Sequence, residues 1–223
     1  MNQQLTLSIR LRDDATFDNY FSGQNEQVVH SLQKQEEPYV FLFGEAGTGK
    51  SHLLQAACHE TGNKGLPVVY LPLAEEGLMP VMLEGLENMS LIALDDIQKV
   101  IGDESWELAL FNLYNRVREK GVNLLISSAE PLASLNIKLA DLKSRLSWGP
   151  IFKLTALSDK DKQFALQQRA KNRGLDLADD VVTYLLKRSP RDMNSLFVLF
   201  EKLDKASMVE KRKLTIPFIK DYL

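Results

Sequence analysis

At 223 residues, 44% of them hydrophobic and 26% charged, the chain has material for one ordinary domain, or a larger domain with a small appendage. No run approaches the roughly 20 apolar residues of a membrane-spanning helix, and no basic stretch followed by an apolar block opens the chain, so neither a membrane span nor a secretory signal is expected. The net charge of −3 conceals a basic excess in residues 151–223, with 15 Lys and Arg against 10 Asp and Glu, a polarity that suggests two units but is too mild to require nucleic acid.

In chain order, Leu5, Leu7, Ile9 and Leu11 alternate with polar residues. That pattern reads equally as a first strand or as an extended peptide able to dock in an apolar groove. Thr16 to Gly23 is an aromatic and polar turn cluster before a helix from Asn25 to about Gln35. Its Phe17, Tyr20 and Phe21 can either line a base pocket or staple the helix to a sheet. The chemistry alone favours the staple.

Tyr39 to Phe43 is a short apolar run, followed by Gly44-Glu45-Ala46-Gly47-Thr48-Gly49-Lys50-Ser51 and then an apolar helix bearing Leu53, Leu54 and Ala57. The loop satisfies G-x-x-x-x-G-K-S/T between a strand and a helix, the context the phosphate-binding motif requires. Glycines admit the positive φ that turns successive N–H groups toward a phosphate, and the helix N-terminus adds unpaired donors. Ala46, Gly47, Thr48, Gly49, Lys50, Ser51 and His52 are therefore expected around a nucleotide. Lys50 is expected at the β/γ-phosphates, and the Ser51 hydroxyl at one Mg²⁺ position. Cys58, the single cysteine, lies on the same helix as a small hydrophobe and cannot close an internal disulfide, so a reducing compartment, the cytoplasm, is expected.

Val68 to Leu71 is a second buried strand, and a loop with Gly77 and Pro80 leads to a short helix ending near Glu87. Leu91-Ile92-Ala93-Leu94 then runs into Asp95-Asp96, a Walker B pattern. Asp95 is expected to hold Mg²⁺ through water, and Asp96 to orient or activate the attacking water. Trp106 to Lys120 is an amphipathic helix closed by Gly121, followed by the strand Val122 to Ala129 and a last strand, Ile151 to Leu154. Alternation of strands and helices predicts a parallel sheet covered on both faces. From Ser158 the pattern is helical only, with helices from Ser158 to Gly174, Asp176 to Arg188, Asp192 to about Val209, and Thr215 to Leu223. The three histidines show no metal-ligand spacing.

The order of these motifs resembles the AAA+ ATPases, and within them the DnaA-related family. The resemblance is carried by Thr16-Phe17-Asp18-Asn19-Tyr20, the Gly44–Ser51 loop, Asp95-Asp96-Ile97-Gln98, and Leu142-Lys143-Ser144-Arg145 with Trp148-Gly149. It implies an α/β AAA+ P-loop domain with a parallel sheet over residues 16–156, a small all-α lid over 157–223, and a peptide over 1–15. Within the family, the chain looks like the members that lack flanking interaction and DNA-binding domains and act in regulatory inactivation of DnaA.

That likeness implies roles for particular residues. Gln4, Leu5, Leu7 and Ile9 match the peptide with which such proteins bind the β sliding clamp of DNA polymerase III, although Ser8 stands where a proline is usual. Arg145 falls on the arginine-finger position, acting on ATP bound to the initiator DnaA. Arg191 falls on the sensor 2 position. The likeness further implies ADP or ATP with Mg²⁺ as cofactors, DNA contact through the clamp, and compatibility with a homo-oligomer. At the sensor 1 position the alignment places Ala129, with Ser128 beside it, which leaves own-site hydrolysis weak. The competing reading is a self-sufficient AAA+ ATPase such as a helicase loader or DNA-remodelling factor. A P-loop kinase is disfavoured by the helical lid and the Arg145–Trp148 segment.

Overall fold

The structure, a computed structural model, describes residues 11–188 and 193–222. Two expectations therefore fall outside the described residues: the peptide Gln4, Leu5, Leu7, Ile9, and Arg191. The chain divides into two compact units, one extending to Thr155 and one starting at Ala156 that also takes in Ala46–Thr48.

The first unit is built on five parallel strands, β1 (Tyr39–Phe43), β2 (Val68–Pro72), β3 (Leu91–Asp95), β4 (Asn123–Ser128) and β5 (Ile151–Lys153), in the order β2-β3-β4-β1-β5. Side chains alternate across a strand, and here both alternating sets are apolar. Phe41, Ile92, Leu94, Leu124 and Ile126 enter one core cluster, whereas Val40, Leu42, Leu91, Ala93 and Leu125 enter the other. Helices therefore cover both faces. Helix α1 (Glu26–Lys34) and α2 (Lys50–Asn63) bury Val28, Leu32, Leu53, Leu54 and Ala57 on one side; α3 (Glu104–Lys120) buries Leu110, Leu113, Tyr114 and Val117 on the other.

The ends of α3 follow from its sequence. The Asp103 carboxylate accepts the N–H groups of Ser105 (2.8 Å) and Trp106 (3.1 Å), and Gly121 closes the helix in the left-handed conformation. One expected element fails: residues 80–88 form no helix but two separate 3-10 turns, Pro80–Leu83 and Leu86–Asn88. Gly85 stands between them at φ 78°, which an α-helix cannot continue through. Conversely, Ala140–Leu146 forms a short helix, α4, where no element was assigned from the sequence. Beyond Trp148 the chain re-enters the sheet so closely that a Cβ on Gly149 would sit 1.9 Å from the Tyr39 carbonyl oxygen. Only glycine permits that approach.

The second unit consists of α5 (Asp159–Asn172), α6 (Asp179–Arg188), α7 (Met193–Glu210) and α8 (Ile216–Lys220). Ser158 and Asp161 form a reciprocal capping box at the start of α5. Leu166, Val182, Leu203, Phe200 and Phe218 are fully enclosed in its core. Arg169 to Glu201 (2.6 Å) and, from the residue that caps the end of α5, Arg173 to Asp204 (2.9 Å) tie this helix to α7.

Candidate functional site

In open parallel sheets, ligands gather at the carboxyl ends of strands where the strand order reverses. β1 occupies that position, between β4 and β5, and its carboxyl end runs directly into the glycine loop. Gly47 (φ 78°) and Gly49 (φ 91°) hold left-handed conformations, and α2 begins at Lys50. A side chain at Gly49 would also collide with the Tyr20 ring, 2.5 Å from its nearest carbon. Lys50 is buried, and its Nζ donates to the carbonyls of Gly44 (2.7 Å) and Glu45 (3.0 Å). Burial pulls its pKa below the ordinary lysine value, opposed by the negative charges of Asp96 and Asp95.

The acidic pair is held by strand register. Leu94 pairs with Ile126, which sets Asp95 beside Ser127, and Tyr70 pairs with Ala93, which puts Tyr70 and Asp95 on the same face. Asp95, 2% exposed, accepts hydrogen bonds from the Tyr70 hydroxyl at 2.6 Å and from the Ser127 hydroxyl. Burial first, then the Asp95 charge and hydrogen bond, raise the Tyr70 pKa far above its ordinary value, so the phenol stays a donor.

Asp96 follows at φ 59°, a left-handed conformation that Asp tolerates better than most residues. Its N–H donates to Ser127 Oγ (3.0 Å), and its Oδ1 accepts from Gln98 Nε2 (2.8 Å). Gln98 Oε1 in turn accepts the Ala129 N–H (3.0 Å). The serine reaching both acids is therefore Ser127, not Ser128, whose hydroxyl accepts from the Glu130 N–H at 3.0 Å. Ser51 and Asp95 offer hard oxygens from adjacent elements. That set suits Mg²⁺, which takes few protein oxygens and completes its shell with phosphates and water. Among the described residues no cluster of three or more His, Cys, Asp or Glu side chains forms a protein-only metal cage.

The aromatic expectations separate. Phe17 is a core residue, 9% exposed and packed with the α1–α2 cluster, which makes it the staple. Tyr20 stays beside the loop against Gly49, its ring 5.4 Å from that of His52, and burial pushes its hydroxyl up to about 12. Phe21 is half-buried. His52 and His59 are each 2.8 Å from a backbone carbonyl, those of Thr16 and Arg12 respectively. Cys58 is fully buried, and burial drives its thiol to about 12, so it behaves as a hydrophobe.

Arg145 lies on α4, within the first unit. Its guanidinium carbon sits 4.3 Å from the Trp148 ring centre and 5.9 Å from that of Phe111. Its Nε is buried with no hydrogen-bond partner among the described residues. The start of α4 is anchored by Glu107, which lies 1% exposed on α3. Glu107 accepts the backbone N–H groups of Gly102 (2.8 Å), Lys138 (3.2 Å) and Leu139 (2.7 Å). Burial raises its carboxyl pKa, but these three donors and Lys138 outweigh it and leave the group below the usual glutamate value.

The pattern of the bacterial DnaA ATPase domain matches residues 11–153, and that of the Hda lid domain matches residues 159–223. The chain belongs to the DnaA-related AAA+ family. Solved DnaA structures share its fold. Domain III of Thermotoga maritima DnaA superposes with a TM-score of 0.78 at 19% identity, covering 95% of this chain and 96% of that one. AMPPCP-bound DnaA from Aquifex aeolicus gives 0.72 at 23% identity, covering 86% and 66%. The RuvB Holliday junction branch migration motor of T. maritima gives 0.62 at 18% identity, covering 88% and 65%. As in that AAA+ fold, a parallel sheet flanked by helices is followed by a helical lid. No helix among the described residues is long and apolar enough to cross a membrane.

Proposed function

We propose that this DnaA-related protein is a replication regulator that binds adenine nucleotide, docks on the DNA-loaded β sliding clamp through Gln4, Leu5, Leu7 and Ile9, and promotes hydrolysis of ATP held by the initiator DnaA. Arg145 is the residue that acts on the partner. The observation that carries this reading is the state of Arg145: its guanidinium has no ion pair among the described residues and is restrained over Trp148. A guanidinium delivered to a neighbour's γ-phosphate stabilises the charge that spreads over the phosphoryl oxygens in the transition state. Its stacking fixes it beforehand, so less rotamer entropy is lost on docking.

In its own site the protein holds nucleotide between the loop N–H groups, Lys50 at the phosphates and Tyr20 beside the loop. When bound, Mg²⁺ at Ser51 and Asp95 would neutralise phosphate charge. Asp96 follows Asp95 at this strand end, and Gln98 Nε2 donates to one of its carboxylate oxygens, Oδ1, at 2.8 Å. That engagement favours holding nucleotide over rapid turnover. It also favours the trans-acting reading over a self-sufficient ATPase.

The deciding experiment measures single-turnover hydrolysis of DnaA-bound ATP with the clamp loaded on DNA. Arg145→Ala is expected to keep nucleotide and clamp binding and to lose about 1,000-fold or more of the stimulation, the scale of an arginine finger. Full stimulation by that variant refutes the mechanism. Brisk ATP hydrolysis by the protein alone, independent of clamp and DnaA, would favour the self-sufficient ATPase.

A further inference from the structure

Arg145 is not alone on its platform. The guanidinium carbon of Arg118, near the end of α3, lies 4.0 Å from the centre of the same Trp148 ring. Trp148 thus carries two cations, each within cation–π distance, and is itself 42% exposed. Of the other described arginines, Arg12 pairs with Asp14, Arg116 with Glu87, Arg169 with Glu201, Arg173 with Asp204 and Arg212 with Glu210, whereas Arg188 lies 5.9 Å from the Tyr184 ring centre with no ion pair among the described residues. Among the described residues neither Arg118 nor Arg145 has a carboxylate within ion-pair distance. Two like charges held on one ring without a counter-ion repel, and an anion bound at its edge within reach of both would relieve that repulsion.

A second, independent observation lies beneath. Tyr114 is 2% exposed, its ring meets Trp148 edge-on at 6.1 Å, and its buried hydroxyl has no hydrogen-bond partner among the described residues. Buried polar groups are ordinarily paired, so the unpartnered Tyr114 hydroxyl and Arg145 Nε single this region out within the first unit. Burial first, then the charge of neighbouring Tyr39, raises the Tyr114 pKa to about 12, opposed by the positive charges of Arg118 and Arg145.

We infer that Arg118, Arg145 and Trp148, over the Tyr114 hydroxyl, form a two-guanidinium receptor for the terminal phosphate of a nucleoside triphosphate held by a second AAA+ subunit. This rests on the reading of Arg145 given above and adds a second cation to it. Arg118 supplies recognition of the extra charge that distinguishes a triphosphate from a diphosphate, while Arg145 stabilises the transition state. Trp148 is a positioning residue that spaces the two side chains. Arginine suits this task because its planar fork can stack on an aromatic face and still present N–H donors at its edge.

The test compares Arg118→Leu, Arg118→Lys and Arg145→Ala in two measurements. One is affinity for clamp-associated DnaA loaded with ATP or with ADP; the other is the stimulated hydrolysis rate. Thermal melting confirms that each variant is folded. The preference of the wild type for ATP-loaded DnaA is expected to fall about 10-fold in Arg118→Leu, the value of one charge-assisted contact, and to be partly restored in Arg118→Lys. A merely structural role for Arg118 would weaken both DnaA forms equally. If Arg145→Ala loses stimulation while Arg118→Leu keeps full rate and full nucleotide preference, the two-cation receptor is wrong and the trans-acting reading stands. If Arg145→Ala keeps full stimulation, both fall.

Discussion

Replacing Glu107 by glutamine changes one atom type at the point where α3 meets the start of α4. Glu107 Oε2 accepts the Leu139 N–H at 2.7 Å, while Oε1 takes Gly102 and Lys138. The glutamine amide can serve one of these positions with its oxygen but must turn an NH₂ toward the other. At least one buried N–H loses its acceptor, which costs about 1–3 kcal/mol, and the remaining bonds weaken from charged to neutral, roughly 0.5–1 kcal/mol more. We predict a loss of about 3 kcal/mol, or about 6–12 °C in Tm for a domain of this size.

Both tryptophans, Trp106 and Trp148, lie in the first unit, so urea denaturation followed by tryptophan fluorescence reports on that unit. The gap between Glu107→Gln and wild type must also depend on pH. Because the folded pKa is lowered, the carboxylate's contribution is fully present above the unfolded value of about 4.3 and is lost as pH falls through the native one. The variant has no such titration, so the difference should shrink below about pH 4.3. A difference under about 0.5 kcal/mol at pH 7, or one that does not change with acid, would refute the assigned role.

Three further outcomes are expected. Lys50→Ala should weaken nucleotide binding about 10- to 100-fold by calorimetry, since it deletes the cation at the loop; unchanged affinity would remove Lys50 from the site. Tyr70→Phe leaves Asp95 short of one buried hydrogen bond and should cost about 1–2 kcal/mol in urea, whereas a change within 0.3 kcal/mol (roughly) would mean that Ser127 suffices. Gln4→Ala with Leu7→Ala should abolish capture by immobilised clamp without altering the melting curve, and undiminished capture would leave residues 1–9 with no role in docking.

Local chemistry was enough to read the loop and the acidic pair. The glycines, Lys50 and Ser51 are consecutive, and Asp95 and Asp96 end an apolar run, so strand, turn and helix are written within a few residues. Unbroken apolar runs at β1, β3 and β4 likewise implied strands buried on both faces. The 80–88 segment misled because Pro80 and Gly85 lie too close together for a helix to form between them. What the sequence could not indicate were pairings between distant residues with no periodic signature: Ser127 and Tyr70 on Asp95, Glu107 on the start of α4, and Arg118 beside Arg145. Those depend on strand order and on where α3 packs, because a hydroxyl or a guanidinium becomes a functional group only when the tertiary fold brings a partner within a few ångströms.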